Sequence, residues 1–154
     1  MKQSPFLLDE QIGFNLNRVA LLFRREIIRC LREFKLTPEQ WQVLAMLWQK
    51  GSLTQKQIIH LTLQDAPSAS KMIGRMKIAG LIEIQISAKD KRATIISLSP
   101  KGRSLKNILP KKVMTHFSPI LNSMPIRKRN SLLNLLKEFR KILGDEIPQD
   151  PEEI

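Results

Sequence analysis

A single cysteine, Cys30, occurs in the 154 residues, so the chain forms no internal disulfide. Its first residues, MKQSPFLLDE, lack the apolar core and cleavage site of a secretory signal. No uncharged apolar run approaches the roughly 20 residues of a membrane span. The expectation is a reduced, cytoplasmic, soluble protein with no membrane partner. Catalytic equipment is missing as well. His60, His116 and Cys30 fall on separate predicted helices, and there is no metal-ligand spacing, glycine-rich phosphate loop or nucleophile motif. An enzyme is therefore not expected, nor any metal or cofactor. Acids are scarce: 14 Asp and Glu face 26 Lys and Arg, giving +12 and a pI near 10.3, which makes a polyanion the first partner to consider. Five of those acids sit in the last ten residues, DEIPQDPEEI, so residues 1 to 144 carry all 26 bases against nine acids, or +17. The terminal segment 144–154 reads as an acidic, flexible, solvated tail.

What is present is mostly helical, in a length that suits one domain. From Ile12 to Phe34 apolar residues recur at 12, 16, 19, 23, 27, 31 and 34, the three-to-four spacing of an amphipathic helix. Thr37-Pro38-Glu39-Gln40 opens a second helix that stops near Gly51, with Trp41, Leu44 and Trp48 on its buried face. A T-x-x-Q capping box, Thr54 to Gln57, starts a short third helix. Asp65 caps a fourth that ends at Gly80, and two short helices joined by a tight turn make a helix-turn-helix candidate. Ile82, Ile84 and Ile86 then alternate with Glu83, Gln85 and Ser87, and a second β-rich stretch runs from Ala93 to Leu98, predicting a hairpin with a charged tip. Ser99-Pro100 opens a long fifth helix, interrupted or bent near Pro110, and Met124-Pro125 leads into a sixth that ends at Gly144. The predicted order is α-α-α-α-β-β-α-α, without internal repeats.

At 100° per residue the fourth helix gathers Ala69, Met72, Ile73 and Met76 into an arc of about 100°, the width of a core-facing stripe. Pro67, Ser70, Lys71 and Gly74 then occupy the opposite surface, with Ser68 and Arg75 at its border. Small residues permit close approach, and hydroxyls and cations suit phosphates and base edges in a major groove. The tip reads Lys89-Asp90-Lys91-Arg92. Such a charge run is ordinarily a solvated turn. Beside a helix lying in the major groove, however, it would reach the neighbouring minor groove, with Arg92 entering and Lys89 and Lys91 meeting phosphates. An acid among these bases repels DNA unless its carboxylate is engaged within the protein. Asp90 is therefore expected to order the tip by accepting hydrogen bonds from Arg92, another arginine, or turn amides.

The runs LTPEQWQVLAML, LTQKQIIHLT, SASKMIGRMKIAGLIE and DKRATIISLSPKGR follow one another with the spacing of the MarR family of winged-helix transcription regulators, which the chain resembles over about residues 8 to 143. The wing's D-x-R, Asp90 and Arg92, followed by L-S-P-K-G where the family usually has L-T-x-x-G, is the most specific part. Gly74 departs from the pattern, since the family usually has a larger polar residue there. Pro67 departs too, preceding the usual contact residues. The resemblance implies a mainly α fold with a small β-hairpin wing: a winged helix-turn-helix over 37–99, and a helical dimerisation region over 8–36 and 100–143. It also implies a homodimer on a palindromic operator in double-stranded DNA, a repressor whose release is controlled by a small effector. By the match of motifs, Ser68, Ser70, Lys71 and Arg75 fall at groove-facing positions and Arg92 at the wing-tip arginine.

Dimerisation also follows from the residues. A winged helix encloses its own core and leaves the first and sixth helices with unmatched stripes, the latter showing Leu132, Leu136, Phe139 and Leu143. The alternative is packing of the terminal helices within one chain. An apolar or aromatic effector is expected at the junction between the dimerisation helices and the winged helix, near Trp41. Two further readings stand beside this one: a thiol-based redox sensor using Cys30, with Arg29 and Arg32 nearby to lower its pKa, and a winged-helix protein-interaction module without DNA contact.

Overall fold

The computed structural model describes residues 5 to 145, which divide at Pro38 into two units. The first is built on α1 (Ile12–Leu31), led in by a 3-10 turn at Leu8–Glu10 and followed by another at Arg32–Phe34. The expected helix to Phe34 thus tightens in its last turn. Lys35 takes the left-handed conformation (φ 55°), and its N–H bonds to the Arg32 carbonyl three residues back, closing the helix. Cys30 and Leu31 are buried, whereas Ile12, Val19, Leu21, Leu22, Phe23 and Ile28 are exposed.

The second unit holds α2 (Pro38–Lys50) from Glu39 on, then β1 (Ser52–Thr54), α3 (Gln55–Thr62), α4 (Ala66–Ile78), β2 (Ile82–Ile86) and β3 (Thr94–Leu98). It closes with α5 (Pro100–Ser104), a 3-10 turn at Leu105–Asn107, α6 (Leu109–Asn122) and α7 (Ile126–Ile142). Three of the helix starts are capped by side chains. The Thr54 hydroxyl accepts the Gln57 N–H while the Gln57 side chain accepts the Thr54 N–H, a complete capping box for α3. The Asp65 carboxylate caps α4 through the Ser68 N–H, and Ser99 caps α5 through the Gly102 N–H. The core of this unit is lined by Val43, Leu44 and Leu47 of α2, Ile58 of α3, Met76 of α4 and Ile96 of β3.

Two features differ from the sequence expectation, and a third, the interruption expected near Pro110, falls a few residues earlier. The sheet has three strands, in the antiparallel order β1-β3-β2, because Ser52, Leu53 and Thr54 pair with Ser97, Ile96 and Ile95. A three-residue strand has no room to show alternation, and it exists through the free edge of β3. The long fifth helix is split: its break lies at Leu105–Ile108, ahead of Pro110, because proline is tolerated in the first turn of α6 but would clash with the carbonyl four residues earlier in a continuous helix. Trp41 and Trp48 are half-buried, not sealed with Leu44. The acidic tail lies outside the described residues from 146 onward.

Candidate nucleic-acid interface

The periodicity of α4 divides its surface. Ala69, Met72, Ile73 and Met76 are buried, and Pro67, Ser68, Ser70, Lys71 and Arg75 are all exposed. One face anchors the helix to the core and the other offers two hydroxyls and two cations to solvent. Pro67 sits in the first turn, where its missing N–H leaves no bond unmade. Asp65 is held below the usual aspartate range first by the Ser68 N–H and then by the Ser68 side chain, so the cap is anionic at neutral pH. Gly74 lies on the open side, and a Cβ built there meets nothing within 4 Å.

At the wing, β2 and β3 pair from Ile82↔Leu98 to Ile86↔Thr94, and the Ser87 N–H donates to the Ala93 carbonyl. Two side chains order the tip beyond that closure. The Ser87 hydroxyl accepts the N–H groups of Lys89 and Asp90 at 3.3 and 3.2 Å. The Asp90 carboxylate accepts the Arg92 N–H at 3.0 Å, while its carbonyl accepts the Ala93 N–H at 2.9 Å. The acid is thus engaged by turn amides, and Lys89, Lys91 and Arg92 are left exposed. Sequence reasoning passed over Ser87 as a mere alternation position; a serine two and three residues before the tip amides was the available signal.

Trp41 and Trp48 of α2 meet edge to face, with ring centroids 5.8 Å apart at 63°, and the Trp48 indole N–H donates to the Gly102 carbonyl at 3.0 Å. Cys30 is 4% exposed. Among the described residues, no group of three or more His, Cys, Asp or Glu gathers as a metal ion requires, and no helix is long and apolar enough to cross a membrane.

A helix-turn-helix whose second helix is basic on its open face, followed directly by a charged hairpin on a three-stranded sheet, defines a winged-helix protein. Residues 34–93 match the model of the MarR family. It is 27% identical over 139 residues to the transcriptional regulator TtmR of Methylorubrum extorquens, covering 90% of this chain and 70% of the relative. The transcriptional repressor CouR, solved on a 23-mer DNA duplex, superposes with a TM-score of 0.80 at 26% identity, over 88% of this chain and 99% of the other. BpsR of Bordetella bronchiseptica, a protein whose DNA binding is regulated by 6-hydroxynicotinic acid, shares the fold with a TM-score of 0.80 at 22% identity, over 88% and 97% of the two chains.

Proposed function

We propose that this chain is a homodimeric transcription regulator that reads a palindromic operator in duplex DNA and is released from it by a small aromatic effector. One observation carries the reading: the exposed face of α4 and the ordered wing tip are both cationic and adjacent in sequence, within a chain of net charge +12. In this reading Ser70, Lys71 and Arg75 address base edges and phosphates of the major groove, with Pro67 and Ser68 at the entering end of the helix. Arg92 enters the flanking minor groove, Lys89 and Lys91 bind phosphates, and Asp90 holds the tip in shape. The winged helix over 37–99 is then the DNA-binding part. Segments 8–36 and 100–143 pair across a two-fold axis, which places two copies of α4 on the two half-sites. The protein acts in the cytoplasm and by binding, without catalysis.

Selection of bound sequences from a random duplex pool tests the reading, and recovery of an inverted repeat is the expected outcome. Affinity for that repeat should fall steeply with salt, by about 0.9 in the log–log slope for each neutralised phosphate. A slope near zero between low and physiological salt would discard the assigned surface and favour a protein-interaction module.

For the effector, half-burial of Trp41 beside Trp48 leaves an aromatic surface against which a planar ligand can stack. Aromatic hydroxy acids, of which the BpsR ligand is one, are the first probes, read by tryptophan fluorescence with and without operator. Coupling is reciprocal, so a true effector must bind operator-loaded protein more weakly. Burial of Cys30 stands against a thiol switch, because an oxidant reacts with an accessible thiolate.

A further inference from the structure

The run Ser99-Pro100-Lys101-Gly102 does more than start a helix. Just beyond the last turn of α4, three successive carbonyls need partners, those of Ala79, Gly80 and Leu81. The same short run satisfies all three. The Lys101 ammonium donates to Ala79 O at 2.9 Å, the Ser99 hydroxyl to Gly80 O at 2.6 Å, and the Ser99 N–H to Leu81 O at 3.1 Å. Gly80 turns the chain with φ 71°, and the Lys101 cation lies where the α4 dipole favours positive charge. The approach is so close that a Cβ on Gly102 would stand 2.1 Å from Leu81 O, so glycine is required there. The carbonyl of that same Gly102 accepts the Trp48 indole N–H. Ser99 is itself buried, and its hydroxyl also accepts the Gly102 N–H.

We infer that Lys101 and Trp48 are positioning residues for DNA reading: they lock the C-terminal end of α4 to α5 and α2, and so set the tilt at which Ser68, Ser70, Lys71 and Arg75 are presented. The buried stripe of α4 fixes the helix's rotation about its own axis, and the joint fixes its inclination. Leverage makes the second constraint matter. Thirteen residues of helix span about 20 Å, so about 5° of play at the joint displaces the far end by about 1.7 Å. Site geometry tolerates only about 0.5 Å. Phosphate contacts through flexible lysines absorb such a displacement, whereas bonds to base edges do not, so the joint governs operator selectivity in particular.

The inference rests on the operator reading above, and the experiment separates the two. Full-length Lys101→Met, Lys101→Arg and Trp48→Phe are compared with the wild type on the selected operator and on a random duplex of equal length, with melting temperatures recorded. Lys101 is exposed, so its methionine variant retains the fold. Lys101→Met and Trp48→Phe should each lower operator affinity about three- to ten-fold, as loss of one bond at the joint implies. Random-duplex affinity and the salt slope should stay unchanged, and Lys101→Arg should restore operator binding. Intact operator affinity in both Lys101→Met and Trp48→Phe overturns the inference. So does an equal loss on both duplexes with the slope reduced by about 0.9, which makes Lys101 a phosphate contact. Wild-type protein that prefers no duplex overturns the operator reading itself, and the joint's role with it.

Discussion

The carboxylate of Asp90 accepts the backbone N–H of Arg92 at 3.0 Å, so the acid of the wing tip organises the peptide that carries its arginine. Simple electrostatics and this geometry predict opposite consequences for its removal. Asp90→Ala deletes a negative charge from the proposed DNA-binding tip, which taken alone strengthens binding. Loss of the turn bond frees the tip, which weakens it. We expect the second effect to win, with operator affinity falling about three- to ten-fold and little change in melting temperature. Asp90→Asn, which keeps an acceptor and drops the charge, should bind at least as tightly as wild type. Tighter binding by the alanine variant would reduce Asp90 to a mere charge.

Gly74 gives a prediction of opposite signs. Among the described residues nothing outside its own helical turn lies within 4 Å of the position of its missing Cβ, and glycine in regular helix costs about 1 kcal/mol against alanine. Gly74→Ala should therefore raise the melting temperature by about 2–4 °C. If α4 lies close against the groove floor, the added methyl meets DNA, and operator affinity should fall in the same variant. A more stable protein with unchanged affinity would place Gly74 away from the interface.

The C-terminal helix leaves apolar side chains in solvent when the chain is taken singly: Leu132 is 44% exposed, Leu136 38%, Phe139 36% and Leu143 71%. Such a stripe belongs against a second copy. The double variant Leu132→Glu, Leu136→Glu should sediment as a monomer and lose operator binding by orders of magnitude, because each half-site is then bound alone. A dimer that survives both changes would locate the two-fold interface elsewhere.

The cap of α4 titrates with a defined sign. The Ser68 N–H holds the Asp65 carboxyl below its usual range, so the folded-state pKa lies below the unfolded one. Its contribution is complete above the unfolded value, about 3.9, and is lost as pH falls through the lowered folded value. In an NMR titration the Ser68 amide resonance should move with a midpoint below that value, and Asp65→Asn should abolish the transition. A midpoint at or above the ordinary aspartate value would mean that the cap is not formed in solution.

Short-range patterns in the chain were enough for the winged-helix frame. The three-to-four spacing of Ala69, Met72, Ile73 and Met76 told which side of α4 is buried, and hence which residues face outward. Thr54-x-x-Gln57 and Asp65 marked two helix starts, because a cap and its amides lie within three residues of each other. These are interactions over one helical turn, and one turn leaves a periodic trace in sequence. Pro110 marked the break between α5 and α6 to within a few residues, but the strand β1 and the choice of amides as donors to Asp90 left none. Nor did the lock on α4: Trp48 and Gly102 are 54 positions apart, and Lys101 reaches back 22 positions to Ala79. Bonds of that span join one side chain to one carbonyl between elements distant in sequence, with no repeat to announce them, so they become visible once the helices and sheet have been brought together.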